Sequence, residues 1–335
     1  MPVNTPEKLS ARLSLRENIM KYFSFSAIII LLVVLSLTQK NFLGTMNLTN
    51  LLRDTAPLMI MSAGMTLVLM FGSIDLSMGA ACSVSNVMYV HLLLAIGDRF
   101  PSPFLAGLVC LLISLCFGML SGVALGFIHV KLKVPSFIAS LGFMSVWQST
   151  ALLITQNPES VRKALWPAID WYRISFGVVG LPLVLALVII LLCFCLTRFT
   201  AFGKTIFAIG GNERATRVAG MNVDRTKILV FTINGILAAL AGVFLAANLK
   251  SSAPTIGDPF TLKIVAACAL GGTSLAGGKG SELGTILGVF TVALIENGMN
   301  FIGVDAYWQS IVFGAFVLIA IALTVDRRTK GQIVK

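Results

Sequence analysis

Few of the reactive side chains in this sequence are arranged to do chemistry. The two histidines, His91 and His129, lie far apart. The six cysteines, Cys82, Cys110, Cys116, Cys193, Cys195 and Cys268, all fall inside apolar runs, where cysteine behaves as a small hydrophobe. Cys193 and Cys195 form a C-x-C pair, but no His or second pair nearby completes a metal set. Gly203-Lys204-Thr205 has the form of a phosphate-loop ending, yet that motif needs a glycine where Arg198 stands. No nucleophile–base or His–carboxylate constellation is present to suggest an enzyme. What remains is Asp75 between two apolar runs and a set of polar groups inside such runs: Asn86, Gln148, Asn234, Glu296, Asn297 and Asn300. Neutral amides suit the passage of an uncharged, hydroxylated solute. They also serve as ordinary bonds between helices, worth about 1 kcal/mol each. Asn234 and Asn297 are the preferred candidates for lining a path.

The elements that would position these groups are membrane helices. The chain has 335 residues, 57% hydrophobic and 12% charged, with a mean hydropathy of +0.92. Soluble domains carry about one-quarter charged residues, so a soluble fold is excluded. The apolar runs are continuous rather than alternating, which excludes a β-barrel. An all-α polytopic membrane protein is expected, with about ten spans near 20–38, 55–72, 76–96, 104–128, 135–155, 176–197, 228–247, 262–277, 282–301 and 307–325. Residues 1–21 read as a polar cytoplasmic arm, 22–326 as one transmembrane domain and 327–335 as a cytoplasmic tail. The first run lacks a small-residue cleavage site, so it is expected to stay as a helix.

The net charge of +11 does not point to nucleic acid, because no basic, aromatic-interleaved groove or recognition motif accompanies it. With the N-terminus inside, 17 of the 25 Lys and Arg residues fall in cytoplasmic segments, as the positive-inside rule requires. Both termini are then cytoplasmic. The long cytoplasmic segment is 198–227. The long outer one is 156–175, with Trp166, Trp171 and Tyr172 of interfacial type. Gly118, Gly122 and Gly126, like Gly284 and Gly288, read as close helix packing. No internal repeat is legible.

Three segments stand out. In Phe71-Gly72-Ser73-Ile74-Asp75-Leu76-Ser77-Met78-Gly79 an acid sits between two apolar runs. Either the segment is a broken helix lining a path, with Ser77 capping the next helix, or it is a plain turn in which Asp75 does the capping. In the second segment, Gly210 and Gly211 break the chain, Asn212 is a good N-cap, Glu213 suits a first helical turn and Gly220 a stop. A helix of about two turns is too short to stand alone. Val218 and Ala219, with the charged Arg214 and Arg217 and with Ala215 between those two, make a small mixed face that docks either in a partner's groove or on lipid headgroups. The third segment, Ala269 to Ser281, holds Gly271, Gly272 and Thr273 and too many glycines for a regular helix. It is either a flexible element at the inner mouth or a tight turn.

Taken together, these segments resemble a known family, the permease subunits of bacterial ABC importers for ribose, xylose and galactose. Gly72 to Gly79 is similar to its G-G-I-D-L-S-V-G, and Val134-Pro135-Ser136-Phe137-Ile138-Ala139-Ser140-Leu141-Gly142 to its V-P-P-F-I-V-T-L-G. Ala208-Ile209-Gly210-Gly211-Asn212 resembles its A-I-G-G-N, and Gly271 to Gly278 its G-G-T-S-L-A-G-G. The departures are small: Ser73 replaces a glycine and Ser136 a proline. The resemblance implies a ten-span permease in the bacterial inner membrane, paired with a second copy of itself or a related permease. It implies a cytoplasmic ATPase that carries the ATP and Mg, an extracytoplasmic sugar-binding protein, and a coupling-helix role for Gly210–Gly220. The rival readings are an ion-coupled secondary transporter, using Asp75 and Glu296, and an ABC permease for branched-chain amino acids.

Overall fold

The computed structural model describes residues 28–318, apart from 31, 40, 306, 313, 316 and 317. The expected arm 1–21 and tail 327–335 lie outside the described residues, as do parts of the first and last spans. The described chain runs α1 (Ile28–Thr38), α2 (Thr45–Met70), α3 (Met78–Ile96), α4 (Pro103–Lys131), α5 (Ser136–Ile154), α6 (Leu181–Phe199), α7 (Ala201–Val218), α8 (Val223–Leu249), α9 (Phe260–Leu270) and α10 (Glu282–Ile302). Its one small sheet is an antiparallel hairpin in which Ser175–Phe176 pairs with Val179–Gly180. By length and composition, α3 to α6, α8 and α10 are apolar enough to cross a bilayer.

Helix α8 is the hub, packed against α4, α3 and α2. Its antiparallel crossing with α4 rests on the glycine stripe. A Cβ on Gly122 would strike the Phe231 carbonyl and stand 2.7 Å from Thr232 Cα. Backbone therefore meets backbone, and dispersion contacts hold two helices that have no hydrophobic drive toward each other in lipid. Gly284 and Gly288 of α10 make the same kind of approach to Gly271 and Ala267.

The helix bounds differ from hydropathy in instructive places. Helix α8 begins at Val223 rather than 228, because the Asn222 side chain caps it by accepting the Arg225 N–H at 3.0 Å. Polar residues such as Asn47, Arg53 and Asp54 lie inside α2, which starts at Thr45 rather than 55. Helix α9 stops at Leu270, not 277, and at 11 residues it is about 16 Å long, half the bilayer core.

A repeat invisible in the sequence emerges at two helix ends. Gly72 (φ 82°) and Gly272 (φ 84°) terminate α2 and α9. Both ends carry the same pair of bonds: Gly72 N to Leu69 O and Ser73 N to Val68 O, then Gly272 N to Ala269 O and Thr273 N to Cys268 O. This is the left-handed Schellman stop. At the opposite end of the bundle, Tyr172 anchors the loop before α6. It is fully buried, its hydroxyl donating to the Arg53 carbonyl at 3.0 Å. Lys250 holds the same loop through Asp170 at 2.6 Å and the Trp166 ring at 3.6 Å.

Candidate functional site

The three segments singled out above converge at one end of the bundle. The Gly278 N–H donates to the Met70 carbonyl at the end of α2, 2.8 Å away. Gly210, in α7, lies against both partners of that bond, so a Cβ there would strike Met70 O and Gly278 N. Gly277 (φ 87°) completes the junction, since a Cβ on it would stand 2.8 Å from Gly72 Cα and 3.1 Å from Gly210 Cα. Glycine is required here twice over, for left-handed backbone and for close approach. Gly211, one residue on, has open space around it.

Helix α7 is kinked at Asn212 (φ −162°, ψ 100°). The short helix therefore starts after Asn212, and Gly210 and Gly211 end the piece before it. Sequence reasoning placed a break at the glycines. In the structure the break falls directly after them, at Asn212, Gly210 serves backbone contact, and Asn212 caps by accepting the Ala215 N–H at 2.9 Å. Gly220 (φ 79°) follows the last turn. The outer side of this piece is open: Asn212, Arg214, Ala215, Val218 and Ala219 line a shallow depression, with Val218 83% exposed.

The inner side is tied to α8 by charge. Glu213 pairs with Lys227 at 2.7 Å and Arg217 at 3.3 Å, and Arg217 reaches Asp224 at 2.8 Å. Partial burial pushes the Glu213 carboxyl up, but the hydrogen bonds and charges of Lys227 and Arg217 outweigh it and hold the group below the usual carboxylate range. The Arg217 guanidinium is raised, first by its bond to Asp224.

Above the junction lies a buried carboxylate node. Asp75 Oδ1 accepts the Ser77 N–H at 2.9 Å and the Ser77 hydroxyl at 2.6 Å, while Oδ2 accepts from Asn234 Nδ2 at 2.7 Å. Asp75 is 4% exposed and Asn234 is fully buried, so the three donors replace water around the carboxylate. A Cβ on Gly64 would sit 2.6 Å from Asn234 Oδ1. Gly64 precedes Met70 by about 9 Å of helix at 1.5 Å per residue, so the chain turns back into the bundle after Gly72. The segment is thus re-entrant. The Ser77 side chain does not cap α3; its hydroxyl donates to Asp75 instead.

The other proposed path residues do not gather here. Asn86 braces the irregular chain after α8, accepting the Ala253 N–H at 2.8 Å and donating to Gly242 O at 3.4 Å. Asn297 pairs reciprocally with Asn47 at 3.1 Å. Glu296 is ion-paired with Lys263. Gly271 lies against Gly284, and Thr273 is buried with its hydroxyl unpartnered.

One face was missed in the sequence. Helix α5 buries only Ser136, Ala139, Ser140 and Ala151, and Gly142, Ser145 and Ser149 lie exposed along it. Gln148 bonds the carboxylate of Asp258. The i, i+3, i+7 spacing of Gly142, Ser145 and Ser149 was the available signal. Apolar surroundings hid it, because hydropathy averages over all faces.

The profile of the family described as "Branched-chain amino acid transport system / permease component" matches residues 47–321. The chain belongs to this family. The permease is 34% identical over 307 residues to the ribose import permease protein RbsC of Escherichia coli, covering 90% of this chain and 93% of that one. It is 34% identical over 335 residues to the probable ABC transporter permease protein YphD of the same organism (99% and 98% covered). To the xylose transport system permease protein XylH of Escherichia coli it is 31% identical over 376 residues (94% and 93% covered). The permease is thus a multi-pass inner-membrane protein and a transport component rather than an enzyme. All three glycine segments of the junction fall within the matched residues.

Proposed function

We propose that this permease is the membrane-spanning subunit of an ATP-driven importer that moves a monosaccharide, or a similar small hydroxylated solute, by alternating access. The observation that carries the mechanism is the seat of Gly210 on Met70 O and Gly278 N. An ATPase subunit, holding ATP and Mg, docks on the open side of Asn212–Ala219. Its closure moves the short helix. Glu213 and Arg217 pass that motion to the start of α8 through Lys227 and Asp224. Gly210 passes it to the turns after α2 and α9, which have no slack because backbone already touches backbone. The re-entrant Asp75–Ser77 segment, tied to Asn234, is the gate these turns move.

The α5 face calls for a second permease, identical or related. Exposed hydroxyls and an open glycine are poorly placed against lipid, but across from another copy they line an aqueous path. An extracytoplasmic sugar-binding protein delivers the solute at the end covered by Trp166 and Tyr172, and both termini face the cytoplasm. The sugar reading takes support from the ribose and xylose names of the relatives. The uncharged amides and hydroxyls of α5 fit it better than an amino acid, whose two charges would each need a partner.

The test is uptake into cells that express the permease with its own neighbouring transport genes. Ribose and xylose uptake is expected to stop when ATP is depleted and to persist with a proton uncoupler. Arg214→Glu, on the exposed side, is expected to abolish uptake while leaving the purified protein monodisperse. Uptake that collapses with the uncoupler and survives ATP depletion would refute the reading.

A further inference from the structure

A second polar site lies beside the junction, between the end of α6, the middle of α7 and the start of α10. It is a cavity of about 290 Å³ lined by Phe194, Thr197, Arg198, Phe207, Ser281 and Glu282. Glu282 is 2% exposed. Its carboxylate bonds Thr197 and its own backbone N–H, but Oε1 is buried without a partner. A buried carboxylate oxygen left bare costs several kcal/mol, so the site calls for a donor. Arg198 lines the same cavity and, among the described residues, forms no ion pair with Glu282 or any other acid. Ser281 Oγ accepts the Gly284 N–H and keeps its own O–H to donate at the N-terminus of α10, where the helix dipole favours an anion.

One cavity thus offers an acceptor that needs N–H donors and, apart from it, a cation, a hydroxyl and a helix N-terminus that suit an anion. It lies at the ends of two spanning helices, and the adjacent α6 surface is apolar and exposed: Leu191 is 54%, Leu192 63% and Phe199 74% exposed. We propose that this cavity binds the headgroup of a phospholipid bearing a primary ammonium, with the ammonium on Glu282 Oε1 and the phosphate on Arg198 and Ser281. The acyl chains lie along Leu191, Leu192 and Phe199. Phe194 and Phe207 form the apolar walls around the methylenes. A choline headgroup lacks the N–H that Glu282 requires, and a glycerol headgroup lacks the cation.

The test is native mass spectrometry of the purified, delipidated permease with equal concentrations of phosphatidylethanolamine, phosphatidylglycerol or phosphatidylcholine. The wild type is expected to retain one phosphatidylethanolamine in preference to the other two. Glu282→Gln is expected to lower that retention by about tenfold, the worth of one charge-assisted hydrogen bond, and Arg198→Gln to weaken it separately. Arg198 is exposed, so that variant keeps the test open if Glu282→Gln fails to fold. Equal retention of the three lipids, or retention unchanged in the two variants, would overturn the proposal. So would displacement of the lipid by soluble phosphoethanolamine at the same concentration.

Discussion

Gly210→Ala and Gly211→Ala are the same substitution one residue apart, and the structure gives them opposite outcomes. A methyl at 210 meets two backbone atoms, Met70 O and Gly278 N, with Gly278 Cα at 3.0 Å. None of these can rotate away as a side chain would, so α7 and the two turns must separate. Overpacking of this kind costs about 1–3 kcal/mol, against which the helical preference of Ala over Gly returns at most about 1 kcal/mol. A methyl at 211 meets nothing within 4 Å, so only the favourable helical term remains. Gly210→Ala is therefore expected to lower the unfolding temperature in detergent and to uncouple uptake from ATP hydrolysis in proteoliposomes. Gly211→Ala is expected to leave both unchanged or slightly improved. Equal loss in the two variants, or uptake intact in Gly210→Ala, would refute the idea that the junction transmits motion by direct backbone contact.

Asp75→Leu strands the Ser77 and Asn234 donors in a dry site and is expected to destabilise by about 3 kcal/mol. A thermal-unfolding cycle with Asn234→Leu should show the two changes to be non-additive by about 1 kcal/mol. Gly122→Ala drives a methyl into the α8 backbone and should destabilise by about 1–3 kcal/mol, whereas Gly142→Ala, with open space, should be silent in the same assay. The folded-state pKa of Glu213 lies below its unfolded value. Its contribution is therefore complete above the ordinary carboxylate range and lost as pH falls through the lower folded value. Hydrogen exchange of the Ala215–Ala219 amides should rise over that interval, and Glu213→Gln should raise it at neutral pH.

How much of this was legible depended on the length scale of the signal. Membrane class, most spans and the glycine-stripe packing follow from composition and spacing, because burial in lipid acts on every residue of a run alike. The three functional segments were visible too, since a glycine cluster or an acid inside an apolar run costs too much to arise without a local reason. Their roles were only partly readable. The break after Gly210 and Gly211 was readable, but sequence carries no record of Met70 and Gly278 lying against Gly210. Ser77 passed for a cap because sequence does not show its hydroxyl turning to donate to Asp75. Asn86 and Asn297 looked like path residues, and tertiary structure gave each a neighbour to bond instead.

By itself, then, the sequence determined that this chain spans a membrane, where its backbone must break, and which family motifs it carries in order. Only the tertiary structure decided that three breaks far apart in the chain, at Gly72, Gly210 and Gly277, touch at one point, and that Asp75 turns inward to Asn234. It also decided that α5 is left largely uncovered, with Gly142, Ser145 and Ser149 among its exposed residues. The physical reason is range: hydropathy and turn propensity act within a few residues of chain, whereas backbone contacts and buried hydrogen bonds join segments the sequence keeps apart.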